Sequence, residues 1–86
     1  MSRDDVYYLI NSELDYQNKM TLGPRRPDII EDFHVGDALS AIDYNFRKAQ
    51  DAWYKGAVPH RDTMEYFRKI AALCVRMGME YGMPPR

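Results

Sequence analysis

Residues 34–53 read HVGDALSAIDYNFRKAQDAW, and the spacing of the apolar residues in this stretch decides the fold class. At about 100° per residue, six apolar side chains fall within an arc of about 80° on one side of a helix. They are Val35, Leu39, Ile42, Phe46, Ala49 and Trp53. The pattern predicts a helix over about 33–54, with this stripe buried in the core.

Two more helices are predicted on either side of it. Ser2 followed by Asp5 resembles a capping box, which predicts a helix over about 2–20. The apolar residues that recur after it at helical spacing are Val6, Leu9, Ile10 and Leu14. The glycine and proline residues of TLGPRRPD indicate a stiff loop after that helix. KGAVPH separates the second helix from a third, predicted over about 60–81.

The length and composition predict one soluble all-α domain, residues 1–86, built as a three-helix unit that assembles into an oligomer. The net charge is −1, so nothing attracts the chain generally to DNA or to anionic lipid. No run approaches the roughly 20 apolar residues of a spanning helix, and MSRDD is unlike a signal peptide. With one cysteine, a reducing cytoplasmic location is expected.

The third helix is the reason to expect assembly. Its apolar side chains cover about 200°, whereas one neighbouring pair of helices needs a stripe of about 100°. Either two short helices wrap it completely, or it has a second contact surface. The predicted oligomer interface comprises Phe67, Ile70, Cys74, Met77, Gly78 and Tyr81. A charge there, as in Gly78→Glu, is expected to give monomers or insoluble protein, and Cys74 is expected to resist thiol reagents.

The acidic residues do not form an evident metal site. Asp37 and Asp43 are six residues apart, hence about 120° apart around a helix, and cannot share one ion. Asp37 and Asp51 are predicted to lie in water and to be dispensable. Asp62 and Glu65 have a suitable spacing but face outward, where Glu65 is expected to pair with Lys69.

Glu13 is the acid that falls beside the apolar face, where a carboxylate needs a partner. Two explanations remain open: an Arg or Tyr from a neighbouring helix or subunit satisfies it, or it contacts a ligand. Tyr16, Gln17 and Lys19 lie close to it on the same helix.

A phosphate-bearing ligand has several candidate contacts. Arg25 and Arg26 lie in the proline-bounded loop, and arginine forks suit phosphate oxygens. Together with Glu13, Tyr16, Gln17, Lys19 and Arg47 they form the predicted ligand-binding set; no cofactor and no catalytic residue is assigned.

The stretches ELDYQNKM, HVGDALSAIDYNFRKAQDAW and FRKIAALCVRMGMEYGMPPR together resemble small phage and prophage proteins described as MazG-like. The resemblance implies an all-α, oligomeric fold and a nucleoside triphosphate pyrophosphohydrolase that holds Mg²⁺ with two acidic pairs. Those pairs are not matched, because Tyr16 follows Glu13 at the required spacing and Ser40 follows Asp37.

In size, helicity and implied assembly the chain also resembles, more loosely, the sponge proteins with which phages sequester nucleotide immune signals. We therefore expect a nonenzymatic homo-oligomer in the host cytoplasm that binds a linear or cyclic nucleotide. The alternatives are a MazG-like hydrolase, which alone would require Mg²⁺, and a protein-binding phage accessory factor.

Overall fold

The computed structural model describes residues 1–22 and 33–86, and three helices account for most of them. They are α1 (Arg3–Leu22), α2 (Val35–Lys55) and α3 (Pro59–Tyr81). No strand occurs in these two ranges. The predicted all-α fold is confirmed, and each predicted helix end lies within two residues of the observed one.

The helix ends follow from local sequence. Asp5 N–H donates to Ser2 Oγ and Ser2 N–H donates to an Asp5 carboxylate oxygen, both at 3.1 Å, which confirms the predicted capping box. Pro59 occupies the first turn of α3, where its missing N–H costs nothing. At the other end Gly82 has a φ of 79°, a value that side chains with a Cβ rarely adopt.

Asp37 makes a hydrogen bond at the start of α2 that the prediction of a dispensable residue did not include. Its carboxylate accepts a hydrogen bond of 2.9 Å from the backbone N–H of His34, the residue that caps the helix. Its negative charge also lies in the first turn, close to the positive end of the helix dipole. Asp37 is exposed, as its angular position on the helix predicted, but angular position carries no information about the backbone donor three residues earlier.

We expect Asp37→Ala to lower the free energy of unfolding by about 0.5 to 1 kcal/mol, since it removes a cap and a favourable charge. Asp51→Ala is the matched control. Asp51 is an exposed acid on the same helix, 3.9 Å from Lys55, and is expected to change stability by less than about 0.5 kcal/mol. Urea denaturation measures both values, and equal effects would contradict the capping role.

The three helices are arranged around α3. Both α1 and α2 pack against α3, and in the described ranges α1 and α2 do not contact each other. In a closed three-helix bundle each helix contacts both others, so among residues 1–22 and 33–86 this arrangement leaves one long side of α3 without a helical neighbour. In the part of the chain that the structure describes, α1 and α2 therefore do not wrap α3 completely.

The described core is small and consists mainly of alanine. Its buried apolar residues are Leu14, Ala38, Ala49, Ala72 and Leu73. Small side chains allow two helix axes to approach closely, but each of them removes little apolar surface from water. The core of one chain is accordingly modest.

The predicted stripe on α2 is only partly buried. Ala49 is buried and Ile42 half-buried, but Leu39 is 64% exposed, and Val35, Phe46 and Trp53 are exposed as well. Because α3 is the only helix that contacts α2 in the described ranges, a narrow strip of the α2 surface is covered, and Ala38 and Ala49 lie in that strip. The larger side chains form its uncovered border.

None of the helices in the described ranges is both long enough and apolar enough to cross a membrane. Arg25, Arg26 and the loop predicted around them lie outside the described residues.

Candidate functional site

A buried polar cluster joins α1 to α3. Glu13 is only 7% exposed, and one of its carboxylate oxygens accepts a hydrogen bond of 2.9 Å from Arg68 Nε. The other accepts a hydrogen bond of 3.1 Å from Gln17 Nε2, which lies one helical turn further along α1. Of the two explanations for Glu13, the structure shows the one in which an arginine from a neighbouring helix satisfies it.

Gln17 extends the cluster to the backbone of α3. Its amide nitrogen also donates to the carbonyl oxygen of Lys69, at 3.2 Å. Its amide oxygen is buried and has no hydrogen-bond partner in the described part of the chain. A second guanidinium nitrogen of Arg68 lies 3.9 Å from a Glu65 oxygen. The cluster therefore fixes α1 against α3 through directed bonds, with one buried acceptor left over.

The remaining members of the predicted ligand-binding set are not gathered in one place. Tyr16 and Lys19 are exposed near the end of α1, whereas Glu13 and Gln17 point toward α3. Arg47 lies on α2, exposed, with its Nε 3.1 Å from an oxygen of Asp43 in the same helix. Since α1 and α2 make no contact in the described ranges, one chain does not bring Arg47 against α1.

The outward acids of α3 are arranged differently from the prediction. Glu65 approaches Arg68 and not Lys69, whose ammonium group lies over the ring of Tyr66 at 5.1 Å. Asp62 lies 3.5 Å from the guanidinium of its neighbour Arg61. In the ranges that the structure describes, no three His, Cys, Asp or Glu side chains are grouped closely enough to hold a metal ion.

The second candidate region is apolar, and it begins as a groove between α1 and the first half of α3. The groove has a volume of about 870 Å³. Its apolar lining includes Val6 and Leu9 from α1, with Met64 and Phe67 from α3. Arg61 and Glu65 contribute polar groups to it.

A second groove, of about 420 Å³, lies between α2 and the first half of α3. It is lined by Phe46 and Trp53 of α2, and it shares Met64 and Phe67 with the first groove. Because the two shared side chains belong to both grooves, the apolar surface is continuous across all three helices. We call this surface the apolar trough; its six residues are Val6, Leu9, Phe46, Trp53, Met64 and Phe67.

The structure divides the predicted interface residues into two rows. Phe67, Cys74 and Tyr81 are exposed, and Gly78 is half-buried in the same row. Ile70 and Met77 are half-buried in the next row of the helix. Assembly through these residues stays a prediction.

Sequence reasoning missed the walls of the apolar trough. Val6 and Leu9 were assigned to the apolar face of the first helix, and Phe46 and Trp53 to the buried stripe of the second. A helix that packs against one other helix and a helix that packs against two can show the same apolar spacing in the sequence. Periodicity alone therefore does not reveal which apolar side chains stay uncovered.

Comparisons with protein-family models, with curated proteins and with solved structures found no match to this chain. Its function is therefore inferred from the polar cluster, the apolar trough and the exposed groups at the end of α1.

Proposed function

We propose that this protein is a nonenzymatic homo-oligomer that binds and sequesters a phosphate-bearing nucleotide, as a phage sponge for a nucleotide immune signal. The observation that carries the proposal is the apolar trough, which makes the single chain an incomplete unit. The ligand class rests on the arginine pair of the sequence and on exposed groups at the end of α1.

Removing the apolar trough from water would be favourable in free energy. Its six large side chains are all at least 40% exposed, and full burial of such a side chain contributes about 1.5 to 3 kcal/mol. A contiguous apolar surface of this kind is typical of an interaction site. The radius of gyration is 14.1 Å, against about 12 Å for a compact domain of this length. A partner that fills the trough would complete the core.

The nucleotide would bind where α1 ends. Tyr16 and Lys19 are exposed there, and the chain continues from α1 toward Arg25 and Arg26. An aromatic face stacks on a base, and arginine and lysine side chains bind phosphate oxygens. Arg47 joins such a site more readily from a second copy, because α2 does not contact α1 of its own chain in the described ranges.

We expect Arg25→Glu and Arg26→Glu each to weaken nucleotide binding by about 1.5 to 3 kcal/mol, the range for a charge-assisted hydrogen bond. Tyr16→Ala is expected to cost a comparable amount through lost stacking. The measurement is calorimetry against a panel of linear and cyclic nucleotides, with melting temperatures to confirm that the variants are folded. Arg3→Glu, an exposed charge reversal at the opposite end of α1, is the matched control and is expected to bind normally.

Two outcomes would replace the proposal with an alternative. Release of pyrophosphate from nucleoside triphosphates in the presence of Mg²⁺ would favour the MazG-like hydrolase. If the wild-type protein carries no nucleotide absorbing at 260 nm after purification and binds none in the panel, the protein-binding accessory factor becomes the better explanation. The apolar trough is the observation that favours this second candidate.

A further inference from the structure

One row of side chains on α3 has the spacing of a helix-pairing seam. Successive members are three, four, three, four and three residues apart, which is the heptad pattern of helices that pair along their length. Four members are exposed and two are half-buried. We call this row the α3 seam; its members are Met64, Phe67, Ala71, Cys74, Gly78 and Tyr81.

In the described ranges the α3 seam lies on the side of α3 between α1 and α2, and the hydroxyl of its last member, Tyr81, lies 3.4 Å from Nδ1 of His34. Met64 and Phe67 form its first part and are also the floor of the apolar trough, between the walls contributed by α1 and α2. The seam carries no charged side chain. Among the charged groups of α3, Arg68 is engaged by Glu13 and Lys69 lies over Tyr66, while Arg61 and Glu65 border the first groove beside the seam. An uncharged row with heptad spacing suits an apolar helix as its partner.

The α3 seam is complementary to itself when read in the opposite direction. Two antiparallel copies centred between residues 72 and 73 place Met64 opposite Tyr81, Phe67 opposite Gly78, and Ala71 opposite Cys74. The large side chain of Phe67 thus packs against Gly78, which has no side chain. The small residues Ala71 and Cys74 pack against each other at the centre. Alternation of large and small side chains across facing positions is what close packing requires.

We infer that two copies of this chain pair through antiparallel α3 seams, about a two-fold axis between Ala71 and Cys74. The inference rests on the assembly part of the proposed function and gives that assembly a geometry. A two-fold interface uses the same surface on both copies, so each chain supplies one trough and one occupant. The second half of each α3, with Gly78 and Tyr81, lies in the apolar trough of the other chain.

The C-terminal tail marks the position that the partner would take. A Cβ built on Gly78 would lie 3.3 Å from the terminal methyl carbon of Met83. Met83 covers Gly78 in the single chain although it is itself 68% exposed, so this contact is easily displaced. Phe67 of the second copy replaces it with a larger and better buried apolar group.

A size exchange tests the pairing. Phe67→Ala and Gly78→Phe are each expected to weaken self-association at least about ten-fold in sedimentation equilibrium, the first by leaving a gap and the second by a clash. The double variant restores the large-against-small pair with the partners exchanged, and we expect it to recover self-association to within a few-fold of wild type. Circular dichroism establishes that each variant is folded. Folded single variants that self-associate as wild type does, or no recovery in a folded double variant, would overturn the antiparallel register.

Cys74 gives a second measurement that needs no substitution. It is exposed in the single chain and lies near the centre of the pair. The rate at which Ellman's reagent labels it is expected to fall at least about ten-fold as the wild-type concentration is raised through the association range. A chain that stays monomeric at micromolar concentration, or an oligomer whose Cys74 is labelled at the monomer rate, overturns the inference.

The two proposals can fail separately. An oligomer that binds nucleotide but leaves Cys74 reactive would contradict the pairing and leave the proposed function intact. A dimer that protects Cys74 and binds no nucleotide would support the pairing and contradict the proposed ligand.

Discussion

Arg68→Leu is expected to lower the free energy of unfolding by about 2 to 4 kcal/mol, a large part of the stability of a domain this small. The substitution leaves the Glu13 carboxylate buried with Gln17 as its remaining partner in the cluster. Removing one partner of a buried ion pair typically costs about 3 to 5 kcal/mol. Because the Arg68 side chain is partly exposed, we expect a somewhat smaller loss of stability here.

Two further variants separate the burial of a charge from the loss of an arginine. Arg47→Leu removes an arginine whose carboxylate contact, to Asp43 at 3.1 Å, is exposed, and it is expected to cost less than about 0.5 kcal/mol. Glu13→Leu combined with Arg68→Leu removes both charges and is expected to recover most of the loss, because apolar replacements of a buried ion pair are often neutral. Urea denaturation of the set measures the coupling. Equal costs for the two single Arg→Leu variants would contradict the role assigned to Glu13.

Leu73→Ala is expected to cost about 2 to 4 kcal/mol, since Leu73 is only 6% exposed and its removal leaves a cavity beside α3. Leu39→Ala makes the same chemical change at an exposed position on α2, and we expect it to lower the free energy of unfolding by less than about 1 kcal/mol. Both are measured at protein concentrations too low for self-association. Under those conditions an equally large cost at Leu39 would mean that the large side chains of α2 are buried within one chain.

Much of the architecture could be predicted from the sequence because it depends on neighbouring residues. Helical spacing predicted the three helices, and the Ser2 and Asp5 pair predicted the first cap. Glu13 was recognised as a carboxylate that needs a partner because its distance along the chain from Leu9 and Ile10 places it beside the apolar face. These features involve residues within one or two helical turns, where helix geometry fixes relative position.

The tertiary structure decided which residues meet. Periodicity assigns Leu39, Phe46 and Trp53 to the apolar side of α2, but α3 covers only the strip that contains Ala38 and Ala49. Arg68 lies 55 positions from Glu13, and nothing in the spacing distinguishes it from the other arginines as the partner. A helical period gives the direction of an apolar face. How much of that face is covered depends on the number and position of the other helices. Here α1 and α2 both contact α3 but do not contact each other in the described ranges, and this arrangement leaves the apolar trough open.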